Sequence, residues 1–412
     1  MPQGKAFEIP KALVWASYQS VRRHKGAPGC DGQTLRQFDE KRDRNLYKIW
    51  NRLSSGTYFP PPVRAKSIPK ADGSTRILGI PTVSDRIAQG AVKRFLEAQL
   101  EPLFHVDSYG YRPGKSAHDA LRQCEQRCRT HSWVLEIDIK AFFDHVDHDL
   151  IIKALKHHQQ PDWVILYCTR WLKAPMVDSH QGSNGVERKQ GTPQGGVISP
   201  LLANLFLHYV FDPWMVRHYR HTRFERYADD IVCHCASMRE AVKLKASISE
   251  RMNEVGLSIH EGKSNVVYID TFPRYNVKKA FTFLGYDFKV RTLKNFKGEL
   301  FRQCAAGASM KAMKHITQVI KSWRVHRSAG ATIKELRHRY NAKLRGWINY
   351  YGKFWYRTFS YRIWSVFQSR LVKWVSNKYR MATRAAERRL ERWRKIHPNY
   401  FAHWELLRAS NV

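Results

Sequence analysis

The apolar residues of the chain predict a mixture of helices and strands up to about residue 300 and helices alone beyond it. One helical repeat follows residue 85, where Ser84 or Asp85 is expected to cap the helix and Pro102 to end it. Its apolar positions lie three or four residues apart: Ile87, Ala88, Ala91, Val92, Phe95, Leu96 and Leu100. The pair Ser199-Pro200 predicts the start of another helix, because proline is favoured in a first turn.

Alternation of apolar and polar residues predicts several strands. Residues 133–139 alternate, which places Asp138 on the more polar face of its strand. Three other segments fit strands: Val63–Pro81 as a hairpin about the turn 71–74, Phe224–Cys235 as two strands joined at Ala228-Asp229-Asp230, and Phe281–Phe288 as one strand. On such a hairpin Asp229 and Asp138 can converge, with Asp230 pointing elsewhere.

The C-terminal third shows only helical spacing. Thr332 and Glu335 form the pattern of a capping box. The apolar positions that follow have helical spacing: Leu336, Tyr340, Leu344 and Trp347. A domain boundary is expected near 290–308, where lysine, glycine and small residues cluster.

Composition excludes two classes of protein. Hydrophobic residues make up 43% and aromatic residues 13%, which excludes an intrinsically disordered chain. No apolar run approaches the roughly 20 residues of a membrane-spanning helix, and the sequence starts without a secretion signal, so an intracellular protein is expected. The seven cysteines lack any Cys-x-x-Cys pair, so we expect reduced, buried thiols rather than a zinc site.

The charge of the chain points to a polyanionic partner. With 71 Lys and Arg against 35 Asp and Glu, the formal net charge is +36. The last 112 residues alone carry 25 basic against 4 acidic side chains and seven of the 13 Trp. Nucleic acid is the common partner of such a surface, and a membrane surface is the alternative.

Few acidic residues are present, and three of them occupy unusual positions. Asp138 ends a predicted strand, while Asp229 and Asp230 occupy the tip of a tight hairpin. Converging carboxylates repel one another unless cations hold them, and two Mg²⁺ ions suit such a site. The simpler interpretation is that aspartate favours turns, and short motifs are weak on their own.

Five segments, taken in order, resemble the conserved blocks of reverse transcriptases. They are Ser108–Gly114 (SYGYRPG), Asp138–Asp144 (DIKAFFD), Gly191–Asn204 (GTPQGGVISPLLAN), Tyr227–Asp230 (YADD) and Phe283–Tyr286 (FLGY). Three further features resemble the group II intron-encoded reverse transcriptase/maturases: the Lys25–Gly32 loop, Lys70 with Arg76, and Leu344–Tyr351. The resemblance runs from about residue 20 to the end of the chain.

The resemblance implies an α+β fold: a right-hand polymerase with an antiparallel palm sheet, followed by an all-helical thumb. The implied domains are 1–105 (N-terminal extension and fingers), 106–290 (palm), 291–380 (thumb or maturase domain) and 381–412 (basic DNA-binding tail). Many members end in a zinc-supported HNH endonuclease. This sequence has no such Cys-rich module, so cleavage of a second target strand is not expected.

The resemblance also implies roles for individual residues. Asp138, Asp229 and Asp230 would be catalytic and would hold two Mg²⁺ ions, with the backbone carbonyl of Ile139 as a further ligand. The implied nucleotide-binding residues are Lys70 and Arg76 on the triphosphate, Gln194 near base and sugar, Phe143 as the gate against a 2′-hydroxyl, and Lys263 near the pyrophosphate. Each role has an alternative. Phe143 can be a core residue, and Lys263 a solvated surface lysine. Lys70 and Arg76 can be general phosphate contacts.

The C-terminal residues suit contact with a nucleic-acid strand. Trp, Tyr and Arg interleave over Trp347–Trp374, and basic residues dominate Arg384–Lys395. The predicted nucleic-acid-binding residues are Arg345, Trp347, Arg384, Arg388, Arg389 and Arg392. The alternative is a helical bundle with tryptophans in its core and solvated arginines, and both descriptions can hold for different faces.

The implied function is an RNA-directed DNA polymerase that also binds its intron RNA to assist splicing and retrohoming by target-primed reverse transcription. The expected partners are intron RNA, an RNA template with a DNA primer, target DNA and deoxynucleoside triphosphates, in the cytoplasm or at the nucleoid. The alternatives are a domesticated or defence-associated reverse transcriptase, an RNA-dependent RNA polymerase, and a non-catalytic RNA-binding splicing factor. Ala228 and Phe143 favour deoxynucleotides, and the intact aspartates favour an enzyme.

Overall fold

A computed structural model describes residues 5–69, 75–178, 185, 187–272 and 274–407. The first half of the chain forms α1 (Lys11–His24), α2 (Leu35–Glu40), α3 (Arg42–Ser54), β1 (Val63–Pro69), β2 (Thr75–Ile80), α4 (Val83–Leu100), α5 (Ala117–Arg127), β3 (Trp133–Asp138), α6 (Phe142–His145), α7 (His148–His157), α8 (Asp162–Lys173), β4 (Met176–Asp178) and α9 (Ser199–Val210). The second half forms α10 (Asp212–His218), β5 (Arg223–Tyr227), β6 (Asp230–Cys235), α11 (Met238–Asn253), β7 (Asn265–Tyr268), β8 (Phe281–Phe283), β9 (Tyr286–Lys294), β10 (Leu300–Ala308), α12 (Met310–Ser322), α13 (Ile333–Tyr351), α14 (Tyr356–Tyr379) and α15 (Thr383–Ile396).

The chain divides into two compact units. The first comprises Met1–Ala120 and Leu135–Asn265, and the second comprises Leu121–Val134 and Val266–Val412. Helices and mainly antiparallel sheets occur together, which confirms the predicted α+β class. The bounds of the four domains expected from the sequence stay predictions.

Helix α4 forms the centre of the first unit. Its helical apolar positions are confirmed, and the side chains of Ile87, Leu96 and Leu100 are buried. The expected cap is wrong, because the Thr82 hydroxyl accepts the hydrogen bond from the Asp85 N–H. Asp85 is instead buried, and its carboxylate accepts hydrogen bonds from other elements.

The first unit contains the sheet of β2, β1 and β4, together with β5, β6 and most of β3. Strands β1 and β2 pair antiparallel as the sequence predicts, and β4 adds to the other edge of β1 in parallel. The turn between β1 and β2, with Lys70, lies outside the described residues. Strands β5 and β6 pair antiparallel, and β3 lies beside β6. The charge of Asp138, at the end of β3, acts on Asp230, at the start of β6, so these two residues lie near each other. Helix α9 begins at Ser199, as predicted.

The second unit contains a sheet that differs from the sequence prediction. The expected strand Phe281–Phe288 is two strands, β8 and β9, because Leu284 and Gly285 have φ of 50° and 79° and turn the chain back on itself. Residues beyond 300 are not all helical, since β10 pairs antiparallel with β9 along its whole length. The alanines of β10 have low β-propensity, so the sequence does not predict this strand; it forms by pairing with β9.

Helices α12 to α15 share one hydrophobic core in the second unit, with Trp374, Phe367 and Leu344 fully buried. The capping box of Thr332 and Glu335 is confirmed at the start of α13. The described residues include all seven cysteines, and none of these forms a disulfide; Cys30 is exposed and the other six are buried. Among the residues that the structure describes, no helix combines the length and the hydrophobicity that crossing a bilayer requires.

Candidate active site

Asp138 is held at the end of β3 through its own backbone. Its N–H donates to the Ser264 hydroxyl at 3.2 Å, and its carbonyl accepts from the His260 N–H at 2.7 Å. The Lys263 Nζ lies 3.1 Å from Oδ2 of Asp138. The side chain therefore projects from a fixed backbone towards a mobile, exposed cation.

The tip of the β5–β6 hairpin holds the other two aspartates. Ala228 has a φ of 56°, so the turn is tight, and Asp230 is the first residue of β6, paired with Tyr227. Burial, with the charge of Asp138 added, raises the pKa of Asp229. Burial, together with the charges of Asp229, Asp138 and Glu136, raises the pKa of Asp230 to about 7. Asp230 therefore lies near Asp229, Asp138 and Glu136.

The donor set of this cluster fits a divalent cation. Carboxylate oxygens are the ligands that Mg²⁺ prefers. Burial first, and neighbouring carboxylates second, raise the pKa values of the half-buried Asp229 and Asp230, and a bound cation would favour their charged forms. Ile139 forms a β-bridge with Ile259, and the flanking hydrogen bonds use Asp138 and Lys140. Neither bond uses the Ile139 carbonyl, so this oxygen suits the ligand role that the resemblance implies.

Two of the predicted phosphate-binding cations belong to the same electrostatic neighbourhood. Arg76 on β2 and Lys263 both lower the pKa of Asp229, which places their charges near the carboxylates. Arg76 is exposed and Lys263 keeps 59% of its side chain in solvent, so both can move to an incoming anion. The third predicted cation, Lys70, lies outside the described residues.

Backbone hydrogen bonds tie Phe143 to the loop of Gln194 and tie that loop to β2. The carbonyl of Phe143 accepts from the Thr192 N–H at 2.7 Å, and the carbonyl of Gln194 accepts from the Gly79 N–H at 2.7 Å. A Cβ on Gly195 would lie 2.4 Å from the Gly79 oxygen, so only glycine permits this approach to β2. The half-buried Phe143 ring packs edge-on against that of Phe142 at 5.4 Å.

A buried network that the sequence analysis missed supports the loop of Gln194. Asp85 accepts hydrogen bonds from Tyr58 (2.9 Å), Trp171 (2.8 Å) and Gln89 Nε2 (2.9 Å). The Oε1 atom of Gln89 then accepts from the Val197 N–H at 2.7 Å. Burial raises the pKa of Asp85 to about 6. Partners so distant in sequence leave no local signal.

A second network braces the aspartate hairpin. Arg226 makes a fully buried ion pair with Asp212, through bonds of 2.7 and 2.6 Å. It also donates to Asn204 Oδ1 at 3.1 Å, and Asn204 donates to the Gly110 carbonyl at 2.6 Å. A Cβ on Gly110 would lie 2.5 Å from the Ala228 nitrogen. The blocks that contain Gly110, Asn204 and Ala228 thus meet behind the turn. The only sequence signal of this contact is the position of Arg226 directly before YADD.

The predicted nucleic-acid residues of α13 lie in the second unit, where they differ in exposure. Arg345 is exposed, and its guanidinium lies 3.8 Å from the Glu405 carboxylate. Trp347 is half-buried, stacked on Trp323 with ring centroids 5.7 Å apart. Trp347 therefore belongs at least partly to the helical core, which was the alternative interpretation.

The four arginines predicted on α15 are not equivalent. Arg384, Arg388 and Arg392 are exposed at intervals of four residues, so they line one face of the helix. Arg389 is half-buried, with its guanidinium 3.7 Å from the centroid of the Tyr379 ring. Of the four predicted arginines, three are thus exposed cations on this face of α15 and one packs against aromatic rings.

Two family profiles match this chain. The profile of "Reverse transcriptase (RNA-dependent DNA polymerase)" matches residues 68–288, and "Group II intron, maturase-specific domain" matches residues 313–394. The first match covers more than half of the chain and contains the aspartate cluster. The second covers most of helices α12 to α15.

Curated relatives agree with these matches. The chain is 37% identical over 206 residues to the group II intron-encoded protein LtrA of Lactococcus lactis subsp. cremoris, covering 48% of this chain and 32% of LtrA. It is 38% identical over 207 residues to protein YkfC of Escherichia coli strain K12, covering 47% of this chain and 52% of YkfC. The aligned region thus spans between a third and about half of these relatives.

Among solved structures, this chain is similar to telomerase from Candida albicans in complex with a TWJ fragment of telomeric RNA. The superposition covers 90% of this chain and 67% of the telomerase chain, with a TM-score of 0.47 and 12% sequence identity. That likeness is too low to support an inference. The family matches confirm the expected fold class and the resemblance. The chain belongs to the reverse transcriptase family, in the group whose members also carry a group II intron maturase domain.

Proposed function

We propose that this protein is an RNA-directed DNA polymerase that extends a DNA primer on an RNA template and uses two Mg²⁺ ions. The observation that carries the proposal is the cluster of Asp138, Asp229 and Asp230, in which burial and the charge of Asp138 raise the pKa values of Asp229 and Asp230. When bound at such carboxylates, divalent ions supply the positive charge that activates a hydroxyl and stabilises a leaving phosphate oxygen.

The chain's own residues would do the remaining work. Arg76 and Lys263 would bind the triphosphate of a deoxynucleotide, because both are exposed cations near the carboxylates. Lys263 would exchange its ion pair with Asp138 for the oxygens of the triphosphate. Phe143 and the Gln194 loop would enclose the sugar, with the Phe143 ring excluding a 2′-hydroxyl. The Asp85–Gln89 and Arg226–Asp212 networks would keep both loops in place.

We further propose that the second unit binds the RNA of the intron that encodes this protein and assists the splicing of that intron. Splicing and DNA synthesis together would support retrohoming at a DNA target. The maturase-specific match and the charge of +21 on the last 112 residues support this role. Work on intron RNA and target DNA would take place in the cytoplasm and at the nucleoid. Arg345, Arg384, Arg388 and Arg392 would contact phosphates.

The test of the polymerase is primer extension by the purified protein. An RNA template with an annealed DNA primer, deoxynucleotides and Mg²⁺ should yield full-length DNA, and a chelator should stop the reaction. Ribonucleotides in place of deoxynucleotides should yield little product. Absence of any extension by protein that binds the template–primer would refute the proposal, and efficient RNA synthesis would favour an RNA-dependent RNA polymerase.

A further inference from the structure

The hairpin of β9 and β10 ends in a rigid turn. The Asn295 N–H donates to the Glu299 carbonyl at 2.9 Å, and the Gly298 N–H donates to the Asn295 carbonyl at 3.0 Å. The two side chains also bond: the Glu299 N–H donates to Asn295 Oδ1 at 2.8 Å, and Asn295 Nδ2 donates to Glu299 Oε2 at 2.7 Å. Four hydrogen bonds therefore order the residues of the tip.

Large apolar side chains stand on this ordered tip in water. Phe296 is 95% exposed, Leu300 is 72% exposed and Phe301 is 42% exposed. The bonds between Asn295 and Glu299 hold the backbone on either side of Phe296, so the turn itself does not need to be ordered on binding. Large apolar side chains left in water on an ordered tip are typical of a contact site.

The charges around the tip define the chemistry of its partner. Lys289, Lys294, Lys297 and Arg302 are exposed, and within the described part of the chain none of them has a carboxylate within 4 Å. The hairpin's two acids are both engaged: Asp287 accepts from the Thr282 hydroxyl and the Met310 N–H, and Glu299 accepts from Asn295. Free cations around an exposed ring complement an anionic chain that carries flat aromatic groups.

We propose that the tip of this hairpin binds an unpaired strand of RNA, with Phe296 stacked on a base and Lys294, Lys297 and Arg302 on the flanking phosphates. The proposal deepens the function proposed above and rests on it for the identity of the strand. Strand β9 has nine residues, which span about 30 Å at roughly 3.4 Å each. The RNA contact is thus about 30 Å along the hairpin from the Leu284-Gly285 turn.

The test measures the affinity of the full-length protein for a labelled, unstructured RNA of about 20 nucleotides and for the same RNA made without bases. Phe296→Ala should weaken binding of the normal RNA about tenfold, because stacking on one base contributes about that much. Phe296→Trp should restore it. On the RNA without bases, the Ala variant and the parent protein should bind alike.

Phe272→Ala is the matched control. Phe272 is 64% exposed, and the guanidinium of Arg274 lies 5.9 Å from its ring, as the Lys297 ammonium lies 5.9 Å from that of Phe296. This control should bind both RNAs like the parent protein. Equal affinity of Phe296→Ala and the parent for normal RNA, or an equal loss in both Phe variants, would overturn the proposed site.

Primer extension on the same preparations separates this proposal from the polymerase proposal. Phe296→Ala should still add a single nucleotide when template–primer is saturating, because its carboxylate cluster is untouched. If the parent protein extends the primer but Phe296→Ala and the parent bind RNA equally well, the hairpin site alone is refuted. If the two proteins differ in RNA binding but the parent extends no primer, the polymerase proposal alone is refuted.

Discussion

At the residue scale, an aspartate in this protein has two distinct fates. Asp138, Asp229 and Asp230 cluster, and desolvation with mutual repulsion raises the pKa values of Asp229 and Asp230. Asp85 is buried alone and accepts three hydrogen bonds from neutral donors. The first arrangement needs cations, while the second fixes a loop. Sequence motifs identified the first group, whereas Asp85 was mistaken for a helix cap because its partners are on distant segments.

Asp85→Asn is expected to change the pH dependence of stability. Burial raises the folded-state pKa of Asp85 from 3.8 to about 6, so its contribution is fully present below pH 4 and is lost as the pH rises through about 6. Asparagine does not titrate. Urea unfolding of both proteins should therefore show the parent losing about 3 kcal/mol relative to the variant between pH 4 and pH 7. A stability difference that is independent of pH would contradict the assignment.

Phe143→Ala is expected to relax the choice of sugar. Removing the ring leaves the Phe143 carbonyl, which holds Thr192, in place, so the loop should survive. Incorporation of ribonucleotides relative to deoxynucleotides should rise about tenfold or more in single-nucleotide extension. Phe143→Leu, which keeps part of the bulk, should be intermediate. An unchanged ratio in the Ala variant would show that Phe143 is only a core residue.

At the scale of elements, the spacing of arginines along α15 and the pairing of strands β9 and β10 each decide where exposed cations lie. Three arginines at intervals of four residues make a cationic face on α15, which its sequence alone predicts. The hairpin was not predicted, because the run Cys304–Ala308 has no strand signal before its partner strand is known. The spacing of apolar and charged residues therefore predicts helices better than it predicts β10, a strand that forms only by pairing with β9.

Replacing Arg384, Arg388 and Arg392 together by Gln should weaken nucleic-acid binding and reduce its salt dependence. Each arginine that no longer neutralises a phosphate lowers the slope of log affinity against log salt by about 0.7 to 0.9, so a change of about 2 to 3 is expected. Arg394→Gln is the control, since that guanidinium pairs with Glu391. An equal slope for the triple variant and the parent would remove α15 from the binding surface.

At the scale of the whole molecule, the two units carry different chemistry. The carboxylate cluster lies in the first unit, and the maturase-specific match and α15 lie in the second. Ordered sequence blocks were enough to predict the family and the aspartates. The braces behind those blocks, the β10 strand and the exposed hairpin tip depend on contacts between distant segments, which a single sequence does not reveal.

Splicing and DNA synthesis should therefore separate genetically. Asp229→Asn should still promote splicing of the intron that flanks its gene at low Mg²⁺, because binding of a folded RNA uses cations and aromatic rings rather than carboxylates. Splicing rates of the parent and the variant should agree within about twofold. Loss of splicing in a folded variant would make the maturase role dependent on the active site. No acceleration by the parent protein would favour a domesticated or defence-associated enzyme.

Primer extension by Asp229→Asn on an RNA template tests the central claim most directly. The substitution keeps the shape of the side chain and removes one of the charges that would hold the metal ions, while the basic surfaces are unchanged. With Mg²⁺ as the only divalent metal, the rate of DNA synthesis should fall about a hundredfold or more. Affinity for the template–primer should stay within about twofold. Extension at a tenth of the parent rate or faster would contradict the claim that these carboxylates form the polymerase active site.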